Sequence, residues 1–222
     1  MQRTKLSERQ LPSYSTGEEI FNSVSHIVGA IFGIFVLVFG VVKAAFNFSA
    51  IDMIGVLIYG ICTIFMYTMS GVYHGSTVTA LKKVLQIIDH CGVFLMVAGT
   101  YTPVMLCGLY KTKPVTALVM LSIVWAATIV GIVLNSIDLK KYHIFSLITH
   151  LVTGWSLLVV VYPLYQSVGL SNTLFIFGGG IVYTIGAALY AIGAKKKYFH
   201  CVFHIFVLAG SVLQFIGIIR LL

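Results

Sequence analysis

Polar residues in this chain gather into short clusters, and apolar stretches of about twenty residues run between them. Seven such stretches can be read, at 20–42, 51–69, 84–106, 115–134, 144–164, 174–194 and 200–219. Each is near the ~20 residues that a helix needs to cross about 30 Å of hydrocarbon. At the head of the first, Ser15 or Thr16 can cap the helix, with Glu18 or Glu19 three residues on to complete a capping box. Short connectors, such as 46–49 and 166–172, oblige successive helices to run antiparallel. Pro103 and Pro163 fall near helix ends, where they kink or stop a helix rather than mark a transport site. Gly178, Gly179, Gly180 and Gly186 allow close helix contact in the sixth stretch. The pattern predicts an all-α integral membrane protein, a seven-transmembrane helix bundle. Residues 1–15 form a short polar tail and residues 16–222 a single transmembrane domain.

Composition agrees with the pattern. The chain is 59% hydrophobic and 9% charged, with mean hydropathy +1.02, whereas soluble domains carry about 25% charged residues. The first apolar run follows basic residues, as in a signal peptide, but it is too long and lacks a small-residue cleavage site, so it reads as a retained helix. A net charge of +8 raises the question of nucleic acid. The basic residues sit in short loops between apolar runs, where they act as topology signals and contacts for anionic lipid, so no nucleic-acid partner is expected. Arg3, Lys5, Arg9, Lys82, Lys83, Lys140, Lys141 and Lys195 to Lys197 share the side of the N-terminus, and Lys43, Lys111, Lys113 and Arg220 the other. Ten against four predicts a cytoplasmic N-terminus and an outside C-terminus. Cys62, Cys91, Cys107 and Cys201 lie within apolar runs without a C-x-x-C pair, as buried hydrophobes rather than a disulfide frame.

The topology gives the remaining polar residues a depth. His200 and His204 lie four apart at the start of the last stretch, on one helical face, a spacing that serves metal ligation as well as ordinary packing. Ser70 and His74, also four apart, end the second stretch on the same side of the membrane. Asp89 lies about one and a half turns into the third, roughly 8 Å along the axis. Ionisable groups within a span cost roughly 2.5–3.5 kcal/mol each and need partners. Three imidazoles leave a tetrahedral zinc one open position, as in catalytic sites, and water there can reach a pKa near ~7. Asp89 would take or hold a proton, and Ser70 would donate to an oxyanion or to Asp89. The alternative is an inner-leaflet hydrogen-bond network without metal.

Ser70-Gly71-Val72-Tyr73-His74, Asp89, His200-x3-His204 and the opening Glu19-x2-Asn22-x3-His26 together resemble the progestin and adipoQ receptor family, most closely its bacterial hemolysin III branch. The resemblance runs from about residue 16 to residue 220. It implies a seven-helix bundle with a cytoplasmic N-terminus in the cell membrane, zinc held by His74, His200 and His204, and Asp89 holding a water on the zinc. It also implies a link to ceramide hydrolysis and membrane-lipid homeostasis, since alkaline ceramidases carry a similar Ser, His, Asp and His-x3-His set. Gln214 departs from the pattern, standing where many relatives carry a further histidine.

Other polar residues have plainer readings. His26 shares a stripe with Glu19 and Asn22 and suits helix-end hydrogen bonding. His90 points about 100° away from Asp89 and should not share its centre. His143 and Asp52 are expected to be solvated, and His150 to contact substrate or another helix. The leading function is a zinc-dependent hydrolase acting on a membrane-lipid amide or ester, reached laterally between helices. A pore-forming cytolysin, and a sensor or receptor with a structural zinc, are the competing classes.

Overall fold

The computed structural model describes residues 4–193 and 196–222, so Arg3 and Lys195 of the basic tally lie outside the described residues. The described residues are helical, without strands. The helices are α1 (Thr16–Phe46), α2 (Ala50–Gly75), α3 (Thr79–Pro103), α4 (Pro114–Asp138), α5 (His143–Trp155), α6 (Val161–Gly193) and α7 (Phe199–Ile219). After Pro103, α3 continues as a π-helical stretch over Val104–Leu109, and the 3-10 stretch Ser156–Val160 leads α5 into α6. Among the described residues, six stretches are long and apolar enough to cross a membrane, the fifth of them the 49-residue run His143–Ala191. That run is interrupted at Gly169, whose φ of 80° and ψ of 167° lie outside any helix. Only glycine adopts this backbone without strain.

Local chemistry sets the helix starts. Ser15 caps α1, its Oγ accepting from the Glu18 N–H while the Glu18 carboxylate accepts from the Ser15 N–H, so the first of the two possible capping boxes forms. Ser49 caps α2 by accepting from the Asp52 N–H. Pro114 opens α4, where its missing N–H costs nothing. α1 approaches α2 closely at Gly29, where a Cβ would stand 2.2 Å from the Tyr67 ring.

The helices outrun the expected apolar limits: α2 continues to Gly75, α3 begins at Thr79 and α4 reaches Asp138. Hydropathy marks only the hydrocarbon part of a helix, whereas its backbone hydrogen bonds continue into the polar interface. The connector expected at 166–172 is likewise helical except at Gly169. Asp52 corrects its solvated reading: it is 1% exposed, and Lys111 Nζ donates to its Oδ2 at 3.2 Å. The cysteines are free and buried, as expected.

Contacts define two ends of the bundle. At the first, the Thr4 N–H donates to Asp138 Oδ2 at 2.8 Å and Lys83 Nζ to the Ser7 carbonyl at 2.8 Å, tying the N-terminal arm to the α2–α3 and α4–α5 turns. At the far end, Lys43 Nζ donates to the Ile219 carbonyl at 2.6 Å, and Ser167 Oγ to the Gly108 carbonyl at 2.7 Å. Thr4 and Leu222 therefore lie at opposite ends, with Val168, beside the Gly169 break, and Leu221 both packed against Gly108. α3 with its π-helical stretch is the central element, 78% buried along its most apolar stretch against 17–50% for the others. An apolar core that includes Ala98, Tyr101, Met105, Val124, Leu164 and Ile218 lies in the far half. Apolar side chains such as Ile20, Val24 and Ile31 on α1 face outward, as a lipid-facing surface requires. The half nearer the arm is where polar residues and a cavity are found.

Candidate metal centre

Two adjacent glutamates at the start of α1 position the two sides of this centre. Glu18, besides capping α1, accepts the Tyr198 N–H on Oε1 at 2.7 Å. Tyr198 is the left-handed residue, φ 63°, from which α7 begins. The bond therefore fixes where α7 starts, and with it His200 and His204 in its first two turns. Glu19 accepts from His74 Nδ1 on Oε2 at 2.7 Å and pairs with Lys82 Nζ through Oε1 at 2.7 Å. Lys82 Nζ also donates to the carbonyls of His74 and Ser76, closing the end of α2. A carboxylate only accepts, so His74 donates from Nδ1 and turns Nε2 inward.

That Nε2 faces His200, which in turn faces His204. His200 Nε2 lies 3.4 Å from His74 Nε2 and 3.0 Å from His204 Nε2. All three histidines are buried, and each offers a ring nitrogen within 4.8 Å of the others, an arrangement that could hold a metal ion. Ser25 Oγ lies 3.5 Å from His204 Nδ1. Tyr14, from the N-terminal arm, stacks on His200 with centroids 4.9 Å apart and planes 21° apart. Burial, then Tyr190 and the Glu19 and Asp89 carboxylates, push the Tyr14 phenol above its ordinary pKa, so it stays neutral.

Ser70, Asp89, His200 and His204 all line one cavity of about 310 Å³, which runs from Pro12 and Tyr14 to Trp155 and Gln214. His74 is packed behind His200, 2% exposed. Ser70 is buried and Asp89 partly so. Neither makes a side-chain hydrogen bond or ion pair among the described residues, so both keep their polar atoms for whatever enters. Five residues chosen from spacing and depth are thus brought together from α2, α3 and α7. Ten residues of α7, about 15 Å of helix, separate His204 from Gln214 at the inner end.

Two expectations need revising. His26 does not serve a helix-end hydrogen bond: both ring nitrogens are buried without a partner among the described residues. Its ring instead stacks on His204, centroids 3.7 Å apart, with Tyr67 edge-on at 5.1 Å. His90 is not in the three-histidine group, yet it borders the same cavity as Asp89. The chamber is wide enough for neighbours 100° apart to reach it. His143 is exposed, as expected, and its Nδ1 meets the Lys140 carbonyl at 2.8 Å. Glu19 and Tyr14 were not singled out as site residues. A clue for Glu19 was available, since a capping box uses one acid and the second, 100° round the helix, needs another partner.

Residues 14–215 match the family model described as Haemolysin-III related. The chain is 36% identical over 202 residues to a Hemolysin-3 homolog of Bacillus subtilis (strain 168), covering 91% of this chain and 93% of that one. It is 30% identical over 198 residues to Hemolysin-3 of Bacillus cereus, covering 89% of each. With this similarity and its long apolar helices, the chain belongs to the haemolysin III-related family, within the progestin and adipoQ receptors, and is a multi-pass bacterial membrane protein.

Proposed function

We propose that this protein is a zinc-dependent hydrolase that cleaves an amide or ester of a membrane lipid in the cytoplasmic leaflet, and so serves membrane-lipid homeostasis. The observation that carries the reading is the meeting of three imidazoles, with His200 Nε2 3.4 Å from His74 Nε2 and 3.0 Å from His204 Nε2, beside a cavity that also presents Asp89 and Ser70. Nitrogens bound at ~2.0–2.1 Å to one tetrahedral zinc would stand about 3.4 Å apart, so the donor set fits zinc. His74, His200 and His204 would hold it. When bound, zinc would supply Lewis-acid polarisation of a carbonyl and lower the pKa of water.

The chain's own residues supply the rest of the reaction. Asp89 Oδ takes a proton from the attacking water as the new C–O bond forms. It returns that proton to the departing amine or alcohol as the C–N or C–O bond breaks, leaving a free fatty acid. Ser70 Oγ donates to the oxygen that gains negative charge at the carbonyl. Glu19 keeps His74 turned inward, and Tyr14 covers His200 from the aqueous side.

The reading includes seven spans with the N-terminus in the cytoplasm. The Gly169 break divides the 49-residue run into pieces that each suffice for a bilayer, and its place beside the C-terminus supports a turn there. Lys82, Lys83, Lys140 and Lys141 gather at the arm end, in keeping with a cytoplasmic face. A second reading, a cytolysin, is favoured by the names of the two relatives.

Zinc-loaded protein should release free fatty acid from a labelled panel of lipid amides and esters. Asp89→Asn should lower turnover by about 10²–10⁴-fold, and Ser70→Ala by about 10²–10³-fold. No product above the Asp89→Asn background with any lipid would reject the hydrolase and leave zinc a sensor's structural ion. Dye leakage from vesicles without turnover would favour the cytolysin.

A further inference from the structure

The cavity wall carries a polar group for which the hydrolytic centre has no use. Some polar side chains along the inner chamber satisfy one another. Trp155 Nε1 donates to Thr184 Oγ1 at 3.0 Å, and Tyr67 and Tyr183 both bond Ser211 Oγ, at 2.6 and 2.8 Å. Among the described residues, His26 on α1 and Gln214 Oε1 on α7 do not, and neither does His150 on α5. The His150 ring is held against Phe94 with centroids 3.8 Å apart. Its Nε2 is buried and has no partner among the described residues. A neutral ring with its proton on Nδ1 presents the Nε2 lone pair. His90 on α3 lines the same chamber and makes no hydrogen bond among the described residues.

A buried acceptor without a donor is unfavourable, and an ordinary hydrocarbon chain cannot supply one. Depth says where a ligand should carry its donor. α5 and α7 both start at the arm end. His204 lies five residues beyond Phe199 and His150 seven beyond His143, about 7.5 and 10 Å along their axes. The unmatched acceptor thus lies a few ångströms deeper than the three-histidine cluster. A chamber of about 310 Å³ is at the small end of the ~300–1,000 Å³ of ligand sites, which suits one chain.

We propose that His150, with His90 beside it, hydrogen-bonds a hydroxyl carried by the acyl chain near its carboxyl end. The preferred lipid is then a hydroxyacyl amide or ester. This rests on the hydrolase reading for the direction in which the chain enters. The test uses the full chain in nanodiscs, titrated calorimetrically with 3-hydroxytetradecanoate and with tetradecanoate. Wild type should bind the hydroxy acid about tenfold more tightly. His150→Leu should bind both acids equally, with affinity for the plain acid kept within about twofold. His150→Gln, which restores an acceptor, should recover part of the preference. Equal binding by wild type, or a preference undiminished in both variants, would overturn the proposal. Binding preference without turnover of any lipid would reject the hydrolase alone.

Discussion

Glu18 and Glu19 are adjacent yet serve opposite sides of the centre, because successive helical residues point about 100° apart. Glu18 joins the start of α1 to the start of α7, and Glu19 fixes the tautomer of His74 through a 2.7 Å contact. Glu19→Gln keeps the size and an acceptor but loses the charge that holds both His74 and Lys82. Outer partners of this kind are worth about 10–100-fold in metal affinity. Competition with a zinc chelator should show Glu19→Gln weakened to that extent, and an affinity equal to wild type would mean that His74 is oriented by packing alone. At this scale much of the site was legible. The His200-x3-His204 spacing and the placing of Ser70, His74 and Asp89 on one side follow from helical period and depth. Glu19 was hidden behind its neighbour's capping role, and Tyr14 because it reaches the site from an irregular arm to which no periodicity applies. The His26 stack on His204 depends on how α1 and α7 meet, which sequence spacing within one helix does not contain.

Apolar runs show where helices exist but not where they stop. Helix ends continue into the interface, and a turn can be as small as one residue. Gly169 is the example: a connector was legible between the fifth and sixth runs, yet helix persists on both sides of a single left-handed glycine. The consequence for topology is large. If the chain reverses there, α7 ends outside. If the 49-residue run crosses only once, six crossings return the C-terminus to the side of the arm. Cysteines introduced at Lys82 and Lys196 should be labelled only after permeabilisation, and a C-terminal tag should be reached from outside intact cells. A tag protected in intact cells together with Lys82 would mean six crossings.

The whole molecule separates two tasks along its length. The far half is an apolar core around α3, and the half nearer the arm keeps a chamber open beneath the three histidines. The three histidines come from α2 and α7, with α1 supplying Glu19, so they meet only when the bundle is formed. Metal binding is then coupled to folding, and removing zinc should lower thermal stability as well as any activity. The central claim is that these three side chains hold one zinc, and elemental analysis of purified protein tests it most directly. Wild type should carry about one zinc per chain, and the triple variant His74→Ala, His200→Ala, His204→Ala essentially none while its helical circular dichroism is retained. Zinc retained at the wild-type level by a folded triple variant would contradict the account.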